Sequence, residues 1–174
     1  MSVEPWLRGP LPGVHPLLAP TLHAYAQARE DLAHWTDRLT DAEIWSRPQG
    51  LASVGFQLRH IAGSVERLTT YLLGEELTPE QLEAMQHEMD PGAGRTKLLD
   101  EANEALKRSE QVIRALDPAM LQEPRSVGRK HLPTTVVGLV VHLAEHTQRH
   151  VGELIVTSKI ARRSEPGSTS TIRS

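Results

Sequence analysis

The stretch from Leu139 to Leu154 constrains this chain more than any other. Val136, Val140, Leu143, Thr147, His150 and Leu154 repeat at spacings of four and three, the period of a helix that buries one stripe. Over the same residues His142, His146 and His150 recur every fourth position. A helix turns about 100° per residue, so each of these steps rotates the side chain by only about 40°. Three imidazoles therefore climb one side, with His150 on the buried seam and His146 on its flank. Neutral imidazole is the commonest side-chain ligand for zinc, nickel, copper and iron, and coordination is the simplest way to satisfy imidazoles that face an interior. The plain alternative is a pair of solvated or hydrogen-bonded helix histidines. A third ligand from another element would decide between the two.

Composition narrows the chemistry. A chain of 174 residues can build one proper core and is too short for two. With no cysteine there is no disulfide framework, no thiolate zinc cluster and no cysteine nucleophile, so a metal must sit on His, Asp or Glu. A formal charge of −3 without a basic run argues against nucleic acid as a partner. Three Trp, two Tyr and one Phe are too few for a base-stacking surface. The start, Met1 to Trp6, is acidic and broken by Pro5, and no apolar run approaches the roughly 18 residues of a membrane span. The expectation is a cytoplasmic protein with neither a membrane nor a nucleic acid as partner.

Along the chain, Pro5, Pro10, Pro12, Pro16 and Pro20 break any regular element, so residues 1–17 are expected as an extended Pro-rich arm with Trp6 and Leu7 as its anchors. Leu18, Leu22, Tyr25, Arg29, Leu32 and Leu39 share a face and predict a first long helix. Thr40 and Glu43 form a capping box that opens a short helix through Ile44 and Trp45. Ser53 is the expected N-cap of a second long helix with Leu58, Ile61, Val65, Leu68 and Leu72 as its seam. Thr78-Pro79-Glu80-Gln81 is a second capping box before another short helix. A third long helix carries Leu98, Ala102, Ala105, Ser109, Val112 and Leu116, and Asp117-Pro118 caps one more turn. Gln122 to Pro133 reads as a polar loop, Thr134 as the start of the last helix and Ile160 as its end. Residues 161–174, with Pro166, Gly167 and alternating Ser and Thr, are expected to be a disordered tail. No segment reads as a strand. Four long amphipathic segments over residues 18–160 predict an all-α four-helix bundle, a fold that builds metal sites from inward side chains on facing helices.

His60 supplies the third candidate. It is the one histidine of another long helix beside an apolar seam, in company with Gln57, Ser64 and Arg67. His23 follows Leu22 on a less clearly buried face, His34 lies among Asp31, Asp37 and Arg38, and His87 and His131 belong to a short helix and a loop. A set of His60, His146 and His150 would leave coordination positions open, as expected of a catalytic rather than a structural metal. Rings more than about 8 Å apart would rule out shared coordination at about 2.1 Å per bond. Gln57, Glu145 and Glu153 are candidates to orient an imidazole N–H. His142-Leu143-Ala144-Glu145-His146 fits the inverted zinc-protease string, but only 28 residues follow His146 and such a peptidase needs a further carboxylate ligand in a large α/β body.

These residues, Ser53-Val54-Gly55-Phe56-Gln57-Leu58-Arg59-His60-Ile61-Ala62-Gly63 and Glu145-His146-Thr147-Gln148-Arg149-His150-Val151-Gly152-Glu153-Leu154, with Leu39 to Pro48 ahead of them, resemble the DinB-like superfamily (DinB/YfiT-like metalloenzymes) over roughly Leu18 to Ile160. The resemblance implies an up-down-down-up four-helix bundle and a divalent ion, commonly zinc or nickel, on His60, His146 and His150. It also implies a homodimer. Members with assigned chemistry include transferases and isomerases that use low-molecular-weight thiols such as bacillithiol or mycothiol. Two departures stand out: Val151-Gly152-Glu153 replaces the Arg-Gly-Gln that many members carry after the last ligand, and His142 is an additional imidazole that leaves a swap among ligands open. The expected function is metal-dependent activation of water or a small thiol on a small-molecule substrate. Arg59, Arg67 and Arg149 favour thiol transfer, because they offer charges for a thiol cofactor's carboxylates. A metal-dependent hydrolase and a non-enzymatic metal-binding or stress-response protein are the competing expectations.

Overall fold

A computed structural model describes residues 3–162. Six α-helices follow in order: α1 (Ala19–Thr36), α2 (Asp41–Trp45), α3 (Val54–Leu72), α4 (Pro79–Gln86), α5 (Arg95–Ala115) and α6 (Val136–Ala161). The strands β1 (Pro124–Val127) and β2 (Leu132–Thr135) form a small antiparallel hairpin before α6. The four long helices pack on one another, α3 against both α5 and α6, and α1 against α6 and more lightly against α5. Their buried faces join in one core that includes Leu22, Tyr25 and Leu32 of α1, Leu58, Ile61 and Val65 of α3, Leu98, Leu106 and Ile113 of α5, and Val140, Leu143 and Leu154 of α6. In α5 the inward stripe runs through Leu106 and Ile113, whereas Val112 and Leu116 are only partly buried. A seam read at three- and four-residue steps allows either neighbour, and packing against α3 chose.

Polar side chains set the helix starts. Thr40 and Glu43 close the capping box of α2, and Thr78 and Gln81 that of α4. Ser53 Oγ accepts from Phe56 N at 3.1 Å to begin α3, and Thr135 Oγ1 accepts from Gly138 N at 3.1 Å to begin α6. The first turn of α5 is capped from outside, Arg95 N donating to Asp41 Oδ1 of α2 at 3.0 Å. Gly55 is required for packing, since a Cβ there would lie 2.8 Å from the ring of Trp45. Within the core, Tyr25 Oη and Ser109 Oγ are 2.9 Å apart, Thr69 Oγ1 donates to Ser109 Oγ at 2.8 Å, and burial pushes the Tyr25 phenol up.

Three expectations are corrected. The stretch expected as a polar loop contains the hairpin, paired from Pro124↔Thr135 to Val127↔Leu132. Pro124 and Pro133 hide it from a sequence reading, yet a two-stranded ladder tolerates prolines because half its N–H groups need no partner. The turn is marked by Gly128 (φ 71°) and His131 (φ 46°), both in the left-handed region. Second, α1 ends at Thr36, and Leu39 packs into the core from the following loop. Third, Trp6 is 63 % and Leu7 56 % exposed, so neither anchors the N-terminal segment. Pro5 is buried in a 3-10 turn, and Arg8 grips Glu30 of α1 with two bonds of 2.6 and 2.9 Å. α6 extends to a buried Ala161 capped by Arg162, and the rest of the expected tail, 163–174, lies outside the described residues. No helix among the described residues is long and apolar enough to cross a membrane.

Candidate metal centre

α3 and α6 lie side by side, and the caps at Ser53 and Thr135 set the register in which they present their histidines. His60 of α3 meets His146 and His150 of α6, with ring centroids 5.3, 4.3 and 4.6 Å apart for the pairs 60–146, 60–150 and 146–150. One ring nitrogen from each lies within 4.8 Å of the others, a group able to hold a metal ion. These separations fall well inside the limit for shared coordination. His23, His34, His87, His131 and His142 are not part of this group.

The outer nitrogens of two of the rings are fixed. His60 Nδ1 lies 2.6 Å from Glu88 Oε2; with the carboxylate oxygen as acceptor, Nδ1 carries the proton, and in the neutral ring Nε2 then carries the lone pair. His150 Nδ1 lies 2.8 Å from Gln57 Oε1. Gln57 is oriented in turn because its Nε2 donates to Glu153 Oε2 at 2.8 Å, which leaves its oxygen for the His150 N–H. Both rings thus present a bare Nε2. His60 Nε2 lies 3.2 Å from His146 Nε2. Two nitrogens about 2.1 Å from one ion, at angles between octahedral and tetrahedral, stand about 3.0–3.4 Å apart, so this pair has the spacing of two ligands to one divalent metal. His146 differs in that its buried Nδ1 has no hydrogen-bond partner; facing a bare His60 Nε2 at 3.2 Å, the metal-free ring carries its proton on Nε2, a proton that a bound ion would displace.

Electrostatics favour the neutral, ligating form. Burial, followed by the neighbouring His150 and His60, lowers the pKa of His146 to about 4. Burial first and His60 second also lower that of His150. Such groups keep their lone pairs at neutral pH. The His142 ring is 5.3 Å from that of His146 but outside the convergent group: its Nδ1–H donates to Glu145 Oε1 at 2.6 Å and the side chain is 43 % exposed. Arg149 and His142 hold the Glu145 carboxyl below its usual range, the His142 hydrogen bond contributing most.

The three arginines expected to offer a cationic pocket already have partners within the protein. Arg59 Nη1 donates to the carbonyls of His87 and Asp90, with its guanidinium over the Trp45 ring. Arg67 pairs with Glu88 at 2.7 Å and Arg149 with Glu145 at 2.7 Å. Sequence reasoning missed Glu88, which follows a short polar helix with no buried residue of its own and carries no periodic signal. A cavity of about 770 Å³ opens elsewhere, between Tyr71 to Leu82 and the hairpin. Tyr71 is eleven residues beyond His60 on the same helix, about 16 Å along its axis, so this volume is remote from the imidazoles.

A helical protein with three convergent histidines able to bind a divalent ion is the class that fold and site define. The chain belongs to the DinB superfamily, whose family model matches residues 24–154. That span contains all three histidines. No curated protein matches it.

Proposed function

We propose that this protein is a metal-dependent enzyme in which His60, His146 and His150 hold one divalent ion, zinc or nickel, and act on a small-molecule substrate. The single observation that carries the reading is the meeting of three imidazoles from two helices, two of them with the outer nitrogen already bonded so that the inner one is turned toward the group. An ion bound there lowers the pKa of a water or thiol in its open positions, giving a nucleophile near neutral pH. The chain's own contribution is orientation. Gln57 holds His150, Glu88 holds His60, and the apolar seam of Leu58, Ile61, Leu143 and Leu154 keeps α3 and α6 from sliding.

Activation of a low-molecular-weight thiol for transfer is the first reaction class and hydrolysis the second. Hydrolysis gains support from the engagement of Arg59, Arg67 and Arg149, since no thiol cofactor's carboxylates need be accommodated. A non-enzymatic metal-binding role is the third reading. With the activity we propose an up-down-down-up order for the four long helices, residues 18–160 as the folded body, a homodimer, a cytoplasmic location, and no membrane or nucleic-acid partner.

The test is metal analysis of untagged protein beside His60→Ala and His146→Ala. One ion per chain in wild type and none in either variant is the expected result, and freshly purified wild type without an ion ends the proposal. Turnover of an electrophile only with an added small thiol marks a transferase, thiol-independent ester cleavage a hydrolase, and neither a binding role.

A further inference from the structure

Glu88 is out of place. The segment that carries it, from α4 to the start of α5, leaves its other side chains exposed or half-exposed: α4 has no buried residue, and Met85, at 44 %, and Met89, at 60 %, face outward. The one buried side chain is a carboxylate, 6 % exposed. Removing a charge from water is costly unless its partners are well placed. Here the partners are two: Oε2 takes the Nδ1–H of His60 at 2.6 Å, and Arg67 Nη1 lies 2.7 Å from Oε1 as an ion pair without the angle of a hydrogen bond. The surroundings make room for this arrangement. Gly63, one turn beyond His60 on α3, would carry a Cβ 2.7 Å from both Arg67 Nη1 and Glu88 Oε1, so a glycine lets the pair lie flat on the helix. Arg59 fastens the same segment to α3 through the carbonyls of His87 and Asp90. Apolar burial therefore does not hold this segment against α3; polar contacts do, those of Arg59 and of Gln81, whose Nε2 donates to Thr70 Oγ1 at 2.9 Å, together with the Glu88 contact to His60.

From this geometry we infer that Glu88 is a positioning residue for the metal centre: its carboxylate, braced by Arg67, fixes His60 as the Nδ1–H tautomer and turns the bare Nε2 toward His146 and His150. The inference rests on the proposed metal site for its use, but the ring state it predicts exists without metal. An imidazole whose N–H is bonded to a carboxylate is held in place and is also the more basic ligand, and loss of such a partner commonly weakens metal binding 10- to 100-fold. Arg67 matters through Glu88, because its guanidinium lies 2.7 Å from Oε1 and holds the carboxylate where Oε2 can accept from His60.

Two measurements on the full chain test this. In metal-free protein, nitrogen-15 NMR of the histidine rings reads the tautomer of His60. Wild type is expected to show Nδ1–H; Glu88→Ala to lose that preference; Glu88→Gln, which keeps an acceptor oxygen, to retain most of it. Zinc affinity, measured by competition with a chelator, should fall 10- to 100-fold in Glu88→Ala and less in Glu88→Gln. If Glu88→Ala proves unfolded, the paired variant Arg67→Gln with Glu88→Gln removes both charges while keeping the shape of the residue 88 side chain and is read the same way, with loss of affinity between those of Glu88→Gln and Glu88→Ala expected. A purely structural role predicts lower melting temperatures with unchanged tautomer and affinity, and that result overturns the inference. Wild type that binds no zinc would end the metal reading, while the ring tautomer would still decide whether Glu88 sets His60.

Discussion

Two His–Glu pairs in this protein have the same length and different meanings. His60 with Glu88 and His142 with Glu145 both meet at 2.6 Å through Nδ1. The first joins residues 28 apart in sequence and is nearly closed to solvent, with side chains 19 % and 7 % exposed. The second is a local pair three residues apart on one helix, with side chains 43 % and 46 % exposed. Distance alone does not separate them. Water does, because an exposed pair exchanges one set of hydrogen bonds for another at little gain, while a buried pair has no substitute once a partner is lost.

The sharpest way to break this comparison is to remove the imidazoles themselves. His150→Ala should abolish metal binding whereas His142→Ala should leave it intact, as read by metal content after gel filtration. Metal lost equally in both would put His142 among the ligands. Next in size is truncation of the acids. Glu88→Ala strands Arg67, whose side chain is 10 % exposed, and should cost about 3 kcal/mol in denaturant unfolding. Glu145→Ala should shift the midpoint little, and equal midpoints for the two variants would deny the contrast.

Acid is a gentler probe. Folded His146 takes a proton only near pH 4, while the unfolded residue takes one near its ordinary value of about 6.5. Between those values the unfolded state holds more protons, so the stability of metal-free protein should fall as pH drops through this window and level off below it. His150, lowered in the same direction, adds to the slope. His146→Asn should flatten the midpoint-against-pH curve; an unchanged curve would show that the ring is not desolvated. The smallest effect compares two helical glycines. Gly152→Ala meets nothing within 4 Å and should gain about 1 kcal/mol of helix propensity. Gly63→Ala meets Arg67 and Glu88 at 2.7 Å, so its gain should be smaller and zinc binding should weaken. Equal gains with full affinity would show that the Glu88 pair shifts freely.

Much of this was legible in advance, and for local reasons. The caps at Thr40, Ser53 and Thr78 are read from residues that bond within their own first turn. The seams of α3 and α6 follow from helix periodicity, and so does the placement of His146 and His150 on one side of α6. That His60 would join them was an inference from its place beside an apolar seam, and the two helices do bring the rings together. The hairpin was hidden by its prolines, and the positive φ at His131 has no sequence marker of its own.

What the sequence determined by itself is therefore the set of helices, the seams of α3 and α6 and the histidines available to a metal, because each depends on neighbours within one or two turns. Only the tertiary structure decided which arginines were already engaged, which imidazole stayed outside the convergent group, and that a glutamate after a solvent-exposed helix would hold His60. Those outcomes turn on desolvation and on contacts between residues far apart in the chain, and no local pattern encodes either.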